Sequence, residues 1–151
     1  LFSRKVLDIS VFLAEMDIRP IPDSHKEFRV AYHDACHLSH AQGITQEPRW
    51  LLKQIPYLLI APINEGDLCC GSAGSYNLEQ PDIANELGKR KATNILNTHA
   101  DAVATGNIGC LVQLQNHIAK INRQVSGKHI EIPVMHTIEL IDLAYREKLS
   151  L

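Results

Sequence analysis

Short runs of apolar and β-branched residues alternate along this chain with longer stretches in which apolar residues recur every three or four positions. The runs predict buried strands at residues 28–34, 57–63, 101–107 and 130–136. The longer stretches predict helices over residues 1–17, 48–55, 80–99, a segment with an apolar face from Leu111 to Val125, and 137–149. Thr137 is predicted to cap the last helix. Alternation of this kind is typical of an α/β fold, here a Rossmann-like three-layer domain with a mostly parallel sheet of about four strands and flanking helices.

Length and charge narrow the class of protein. A chain of 151 residues buries one sizeable core, and its net charge of -2 indicates neither a nucleic acid nor an anionic membrane as partner. No apolar run reaches the roughly 20 residues that span a bilayer. The chain begins without Met, in a segment typical of a helix interior. We therefore expect residues 1–151 to be a single domain from a longer protein, with a helix and loop over 1–27 and an α/β core over 28–149.

The cysteines are too few for a disulfide scaffold and suggest a reduced intracellular setting. Cys36, Cys69, Cys70 and Cys110 each follow a predicted strand. Because parallel strands end at one edge of a sheet, adjacent strands would bring these sulfurs together there. We expect the helix N-termini at that edge to favour thiolates over thiols. The adjacent pair would form only a strained disulfide, so a metal, a cluster or redox exchange suits it better.

Small residues accompany the cysteines in their loops. The candidate cofactor-binding positions are Gly71, Gly74, Asn107 and Gly109. Glycine allows the backbone to approach a bulky ligand or to adopt a positive φ, and loop N–H groups stabilise sulfur charge. Ordinary tight turns explain these residues nearly as well.

Histidines around the first cysteine make zinc a competing hypothesis. The segment after the first strand contains His33, His37 and His40 on either side of Cys36. Cys36 and His40 have the i, i+4 spacing that holds a metal ion on a helix, although both later histidines are also suited to loop hydrogen bonds. His136 is predicted to be a hydrogen-bonded neighbour of the site rather than a ligand. A third hypothesis, Cys36 as nucleophile with His40 as base, leaves the adjacent cysteine pair unexplained.

Three segments, YHDACHLSHAQG, DLCCGSAGSYN and ATGNIGC, resemble the cysteine-rich CCG domain. This domain occurs in a subunit of heterodisulfide reductase, in lactate-utilisation proteins and in the iron–sulfur subunit of glycolate oxidase. The chain resembles the C-terminal part of the last most closely, over about residues 28–145. The resemblance implies electron transfer from flavin-containing subunits that oxidise glycolate to glyoxylate. It also implies a cytoplasmic complex, or one peripheral to the inner membrane.

The resemblance further implies which residues bind the cofactor. Cys36, Cys69, Cys70 and Cys110 would hold an iron–sulfur cluster of [4Fe–4S] type, cubane or non-cubane, with His40 as an additional candidate ligand. The heterodisulfide reductase pattern ends in Cys-x-x-Cys, whereas residue 113 here is Gln, so a five-thiolate arrangement is not available. In the alternative, the domain holds zinc or no metal and docks the flavin subunit.

Overall fold

The computed structural model describes residues 5–23, 25–124 and 132–149, which contain one parallel sheet. Its strands are β1 (Phe28–His33), β2 (Leu58–Ala61), β3 (Ala102–Thr105) and β4 (Val134–His136). Their order across the sheet is β2-β1-β3-β4, and every neighbouring pair is parallel. The predicted parallel sheet is therefore confirmed.

Helices cover both faces of the sheet. They are α1 (Ile9–Ala14), α2 (Gln46–Lys53), α3 (Tyr76–Glu79), α4 (Pro81–Leu96), α5 (Ile108–Gln124) and α6 (Thr137–Tyr145). A π-helix, His37–Ala41, follows β1 directly after Cys36. Neither this π-helix nor α3 was expected from the apolar spacing, because both are single short turns with little periodicity.

The two faces of the sheet bury separate apolar cores. Side chains of β1 alternate between them, as the pleat of a strand requires. One core joins the sheet to α2 and α6 and includes Val30, Tyr32, Leu51, Leu52, Leu140 and Ile141. The other joins the sheet to α4 and α5 and includes Ala31, Val103, Ala92, Ile95, Leu114, Cys70 and Cys110. This is the predicted three-layer arrangement, and two of the cysteines lie inside its second core.

Local capping explains where the observed elements differ from the predicted ones. The Asp8 side chain accepts a hydrogen bond from the N–H of Ser10 at 2.9 Å, so α1 begins at Ile9, and the predicted helix is wrong for residues 6–8 and, since α1 ends at Ala14, for residues 15–17. The predicted helix residues 1–4, together with Val125 and residues 130–131 of the predicted fourth strand, lie outside the described residues. Residues 132–133 precede β4 rather than belonging to it.

The predicted cap of the last helix is wrong by one residue. His136 is the N-cap of α6: its Nδ1 accepts the N–H of Ile138 at 3.2 Å, and Glu139 bonds back to the N–H of His136. Thr137 is already helical, and its buried hydroxyl has no hydrogen-bond partner among the described residues. An imidazole nitrogen acts here as the acceptor that a Ser or Asp oxygen usually supplies.

Over the described part of the chain, no helix combines the length and apolar character needed to cross a bilayer.

Candidate metal centre

The strand order places the cysteine-bearing loops side by side. β1 lies between β2 and β3, and the segments that follow these strands carry Cys36, the pair Cys69 and Cys70, and Cys110, the last in the first turn of α5. All of these cysteines are free thiols. The strands before the cysteines are parallel and adjacent, as the expected gathering of the sulfurs requires, so the cysteines lie at the carboxyl edge of the sheet.

The thiols lie close enough to influence one another's pKa: Cys69 acts on Cys36, Cys70 on Cys69, and Cys70 on Cys110. Cys70 and Cys110 are buried, whereas Cys36 and Cys69 are partly exposed. Three separate loops thus bring the cysteines into one constellation.

The thiols shift one another's pKa. Burial and the neighbouring Cys69 raise the pKa of Cys36, and the hydrogen bond to Cys70 together with burial raises the pKa of Cys69. The pKa of Cys110 is lowered, mainly because Cys70 donates a hydrogen bond to it. The expectation that helix N-termini would favour thiolates is therefore wrong for Cys36 and Cys69. Crowded thiolates repel one another, and a bound cation would relieve that repulsion.

The glycine loop packs the cysteine pair onto α4. Gly71 is buried with φ +85°, and its N–H donates a hydrogen bond to the Sγ of Cys69 at 3.3 Å. A Cβ on Gly71 would lie 2.4 Å from the carbonyl oxygen of Ala84. Gly74 also has a positive φ, +53°, but a Cβ there would meet no atom within 4 Å. Gly71 therefore permits a close backbone approach, and Gly74 only a turn.

Asn107 and Gly109 shape the start of α5. The Oδ1 of Asn107 accepts the N–H of Cys110 at 3.1 Å, which orients the first turn of this helix. A Cβ on Gly109 would lie 3.0 Å from that Oδ1 and 3.3 Å from the Oγ of Ser72. Ser72 in turn lies 3.3 Å from the Sγ of Cys70. These small residues allow the loops after β2 and β3 to approach closely.

Cys36 and Cys110 line a cavity of about 210 Å³. Its lining consists of Cys36, His37, Ser72, Ala73, Gly74, Asn107 and Cys110. His40, the predicted additional ligand, is exposed on the π-helix and does not line this cavity. A metal-binding role for His40 remains a prediction.

A buried histidine that was not predicted as a ligand lies at the sulfurs. One ligand atom each of His33, Cys70 and Cys110 lie within 4.8 Å of one another. His33 is only 1% exposed, and neither of its ring nitrogens has a hydrogen-bond partner among the described residues. Strand alternation from Ala31 could have indicated that His33 faces the second core, where the buried cysteines lie.

Comparison with known proteins decides the family. The family model described as the CCG cysteine-rich domain matches residues 30–115, more than half of the chain. The chain belongs to the CCG cysteine-rich domain family. The match covers the cysteines, the glycine loop and His33, and it confirms the resemblance found in the sequence.

Several curated relatives are similar to this CCG domain. A subunit of the fumarate reductase (CoM/CoB) of Methanothermobacter marburgensis is 39% identical over 144 residues, 94% of this chain and 28% of the relative. The glycolate oxidase iron–sulfur subunit of Escherichia coli is 31% identical over 150 residues, 97% of this chain and 33% of the relative. Lactate utilization protein A of Oceanobacillus iheyensis is 27% identical over 130 residues, which are 85% of this chain and 52% of the relative. The chain thus spans between a quarter and about half of these relatives.

An ion pair fixes the loop of the CCG domain that carries Cys36. The guanidinium of Arg49 donates to both carboxylate oxygens of Asp34, at 2.7 and 2.5 Å, and to the carbonyl oxygen of Thr45 at 2.7 Å. The same guanidinium lies 4.9 Å from the centre of the Tyr32 ring. Since Asp34 stands two residues before Cys36, this bidentate pair restrains the backbone that positions Cys36 in the site.

A buried lysine restrains the loop before the cysteine pair. Lys91 of α4 is fully buried, and its Nζ donates to the carbonyl oxygens of Glu65 and Gly66 at 2.7 and 3.0 Å. Burial lowers the pKa of this ammonium group. Glu65 is also paired with Arg90, so α4 holds this segment at two points.

The donors of this CCG domain fit a soft metal or an iron–sulfur cluster. Thiols converge at one edge of the sheet with an imidazole that has no hydrogen-bond partner in the described part of the chain, and their small neighbours leave a cavity there. Thiolate with imidazole suits iron–sulfur clusters and zinc better than hard cations such as Mg²⁺. Burial and the neighbouring Cys69 raise the pKa of Cys36, which disfavours the thiolate that a nucleophilic cysteine needs.

Proposed function

We propose that this CCG domain transfers electrons through an iron–sulfur centre held by Cys36, Cys69, Cys70 and Cys110. The observation that carries the proposal is the convergence of the thiols at one sheet edge: the sulfurs of Cys70 and Cys110 lie within 4.8 Å of each other, and Cys36 and Cys69 are close enough to take part in the mutual pKa shifts. Such a centre accepts and releases single electrons when bound. In number, the thiolates suffice for a [4Fe–4S] cluster.

The surrounding residues would control how the centre is held and reached. Buried Cys70 and Cys110 would shield the centre from water, whereas Cys36 and Cys69 are partly exposed and would be the side that a partner reaches. The Gly71 N–H on the Cys69 sulfur would stabilise negative charge there, which is one way a protein tunes a cluster's potential. The domain itself would make and break no substrate bonds.

Elemental analysis of protein prepared without oxygen tests the centre. We expect iron and acid-labile sulfide in equal amounts, together with the electron paramagnetic resonance spectrum of a reduced or oxidised cluster. Cys36→Ser, Cys69→Ser, Cys70→Ser and Cys110→Ser should each lower the retained iron, whereas His40→Gln serves as a matched surface change. Protein without labile sulfide would contradict the proposal, and loss of iron in His40→Gln alone would revise the ligand set.

We further propose that the electrons come from glycolate, through flavin-containing subunits of a glycolate oxidase. The support is the 31% identity with the Escherichia coli protein named glycolate oxidase iron–sulfur subunit. Oxidation of glycolate to glyoxylate releases two electrons and two protons, and the centre would take the electrons one at a time. The test mixes the reconstituted domain with glycolate oxidase flavin subunits and follows cluster reduction. Reduction with lactate but not with glycolate would refute this assignment.

Zinc is the second candidate, because the group formed by His33, Cys70 and Cys110 has the mixed nitrogen and sulfur donors that zinc prefers. The domain would then be structural and would dock the flavin subunit. About one zinc per chain without labile sulfide would establish this alternative.

A further inference from the structure

We propose that His33 is a nitrogen ligand of the same metal centre, an inference that rests on the proposed function of the cysteines as ligands. His33 is the last residue of β1, the central strand between the two other strands that lead into cysteine loops. One of its ring nitrogens lies within 4.8 Å of the sulfurs of Cys70 and Cys110.

The unsatisfied imidazole is the first argument. A buried polar group normally has a hydrogen-bond partner, yet both nitrogens of His33 lack one among the described residues. His136, at the end of β4, shows the usual situation: its Nδ1 accepts a backbone N–H. The fold therefore buries the His33 imidazole beside the sulfurs without a hydrogen bond among the described residues, and coordination of a metal ion would give one ring nitrogen a partner.

The sheet register supplies a second observation. Thr105 of β3 is the parallel partner of His33, so both side chains face the same side of the sheet. The Oγ1 of Thr105 is buried and also has no partner in the described part of the chain. Unpaired polar atoms thus occur on two adjacent strands, directly beneath the cysteine loops.

The position of Gln113 gives the third argument. In the related heterodisulfide reductase pattern a cysteine stands there, but Gln113 lines a separate cavity of about 380 Å³ together with Asn85 and His117. This cavity does not include the cysteines. Gln113 thus faces that separate cavity, whereas a ring nitrogen of His33 lies within 4.8 Å of the sulfurs of Cys70 and Cys110.

Nitrogen hyperfine spectroscopy of the reconstituted protein tests the assignment. The protein is loaded with iron and sulfide without oxygen, once with ¹⁴N-histidine and once with ¹⁵N-histidine. We expect a histidine coupling that changes with the isotope, disappears in His33→Gln and persists in His117→Gln, a second buried histidine that lines the other cavity. Metal affinity should fall at least about tenfold in His33→Gln. A wild-type spectrum without histidine coupling, or a coupling retained in His33→Gln, overturns the assignment.

The metal-free protein gives an independent readout. His33→Leu replaces the unpaired ring by an apolar side chain, so we expect a higher Tm without metal together with lower metal retention. A histidine with a purely structural role would instead give a lower Tm, which would overturn the proposal.

The assignment of His33 as a ligand can be tested even if the protein does not bind an iron–sulfur cluster. If the protein binds zinc and no sulfide, the proposed electron-transfer function fails, and X-ray absorption at the zinc edge then judges His33. Imidazole scattering that is lost in His33→Gln supports the ligand assignment, and scattering that persists refutes it. Protein that binds neither iron nor zinc overturns both proposals.

Discussion

Replacement of Gly71 by alanine should damage this domain much more than replacement of Gly74, although both glycines stand in the same loop with a positive φ. At Gly74 only the backbone conformation opposes a side chain, because a Cβ would meet no atom within 4 Å. A positive φ costs an L-residue about 1–2 kcal/mol. Gly74→Ala should therefore lower the free energy of unfolding by about that amount.

At Gly71 a steric collision adds to the same backbone cost. The new Cβ would stand 2.4 Å from the carbonyl oxygen of Ala84 and 3.0 Å from its Cα. Both atoms belong to the backbone of α4, so no side-chain rotation relieves a contact about 1 Å shorter than the optimum of roughly 3.5 Å. Overpacking of this kind costs about 1–3 kcal/mol more. Gly71→Ala should therefore lose about 2–5 kcal/mol in total.

Urea unfolding of the two metal-free variants, followed by far-ultraviolet circular dichroism, measures both values. Metal retention should fall further in Gly71→Ala than in Gly74→Ala, because separation of the loop from α4 displaces Cys69 and Cys70. Equal destabilisation of the two variants would refute the close approach of Gly71 to α4.

Three further changes test the supports of the site. Arg49→Lys removes the fork that bonds both oxygens of Asp34, so we expect a loss of about 1–2 kcal/mol in urea unfolding; an unchanged midpoint would contradict the bidentate pair. His136→Ala should cost about 1 kcal/mol in thermal unfolding, and His136→Asn should restore most of it if the N-cap is the cause. Burial lowers the pKa of Lys91, so between that pKa and its ordinary value of 10.5 the unfolded chain binds more protons than the folded one. The contribution of Lys91 to stability should therefore rise with pH over this window. The urea midpoint of wild type, measured relative to that of Lys91→Met, should rise as the pH increases through this window. A difference between the two midpoints that stays constant or falls would contradict this reasoning.

Much of the fold follows from local periodicity. The alternation of apolar runs with helical spacing predicted the strands and the α/β class, because the faces that a strand or a helix buries repeat every two or 3.6 residues. The cysteines could be placed at the carboxyl edge of the sheet for the same reason, since each follows a strand. The three motifs with their spacing also indicated the CCG family.

The sequence could not predict contacts that depend on strand order and on how closely two loops approach. The same pattern would fit any order of the strands, but only β1 between β2 and β3 brings the cysteine loops together. The sequence predicts that Gly71 allows a close approach or a positive φ. It does not predict that the atom approached is in the backbone of Ala84, because that contact depends on how α4 packs. The pair of Asp34 with Arg49 likewise joins a loop to a helix.

His33 shows the division most clearly. The chain alone placed this histidine near Cys36, and exposed His40 had the more suggestive spacing. Alternation along the strand indicates which face His33 takes, but only the folded sheet shows that its nitrogens lie beside two sulfurs and have no hydrogen-bond partner among the described residues. Local sequence thus determined which elements form and which loops carry the cysteines. Tertiary packing decided which donors meet, because burial and register depend on residues far apart in the chain.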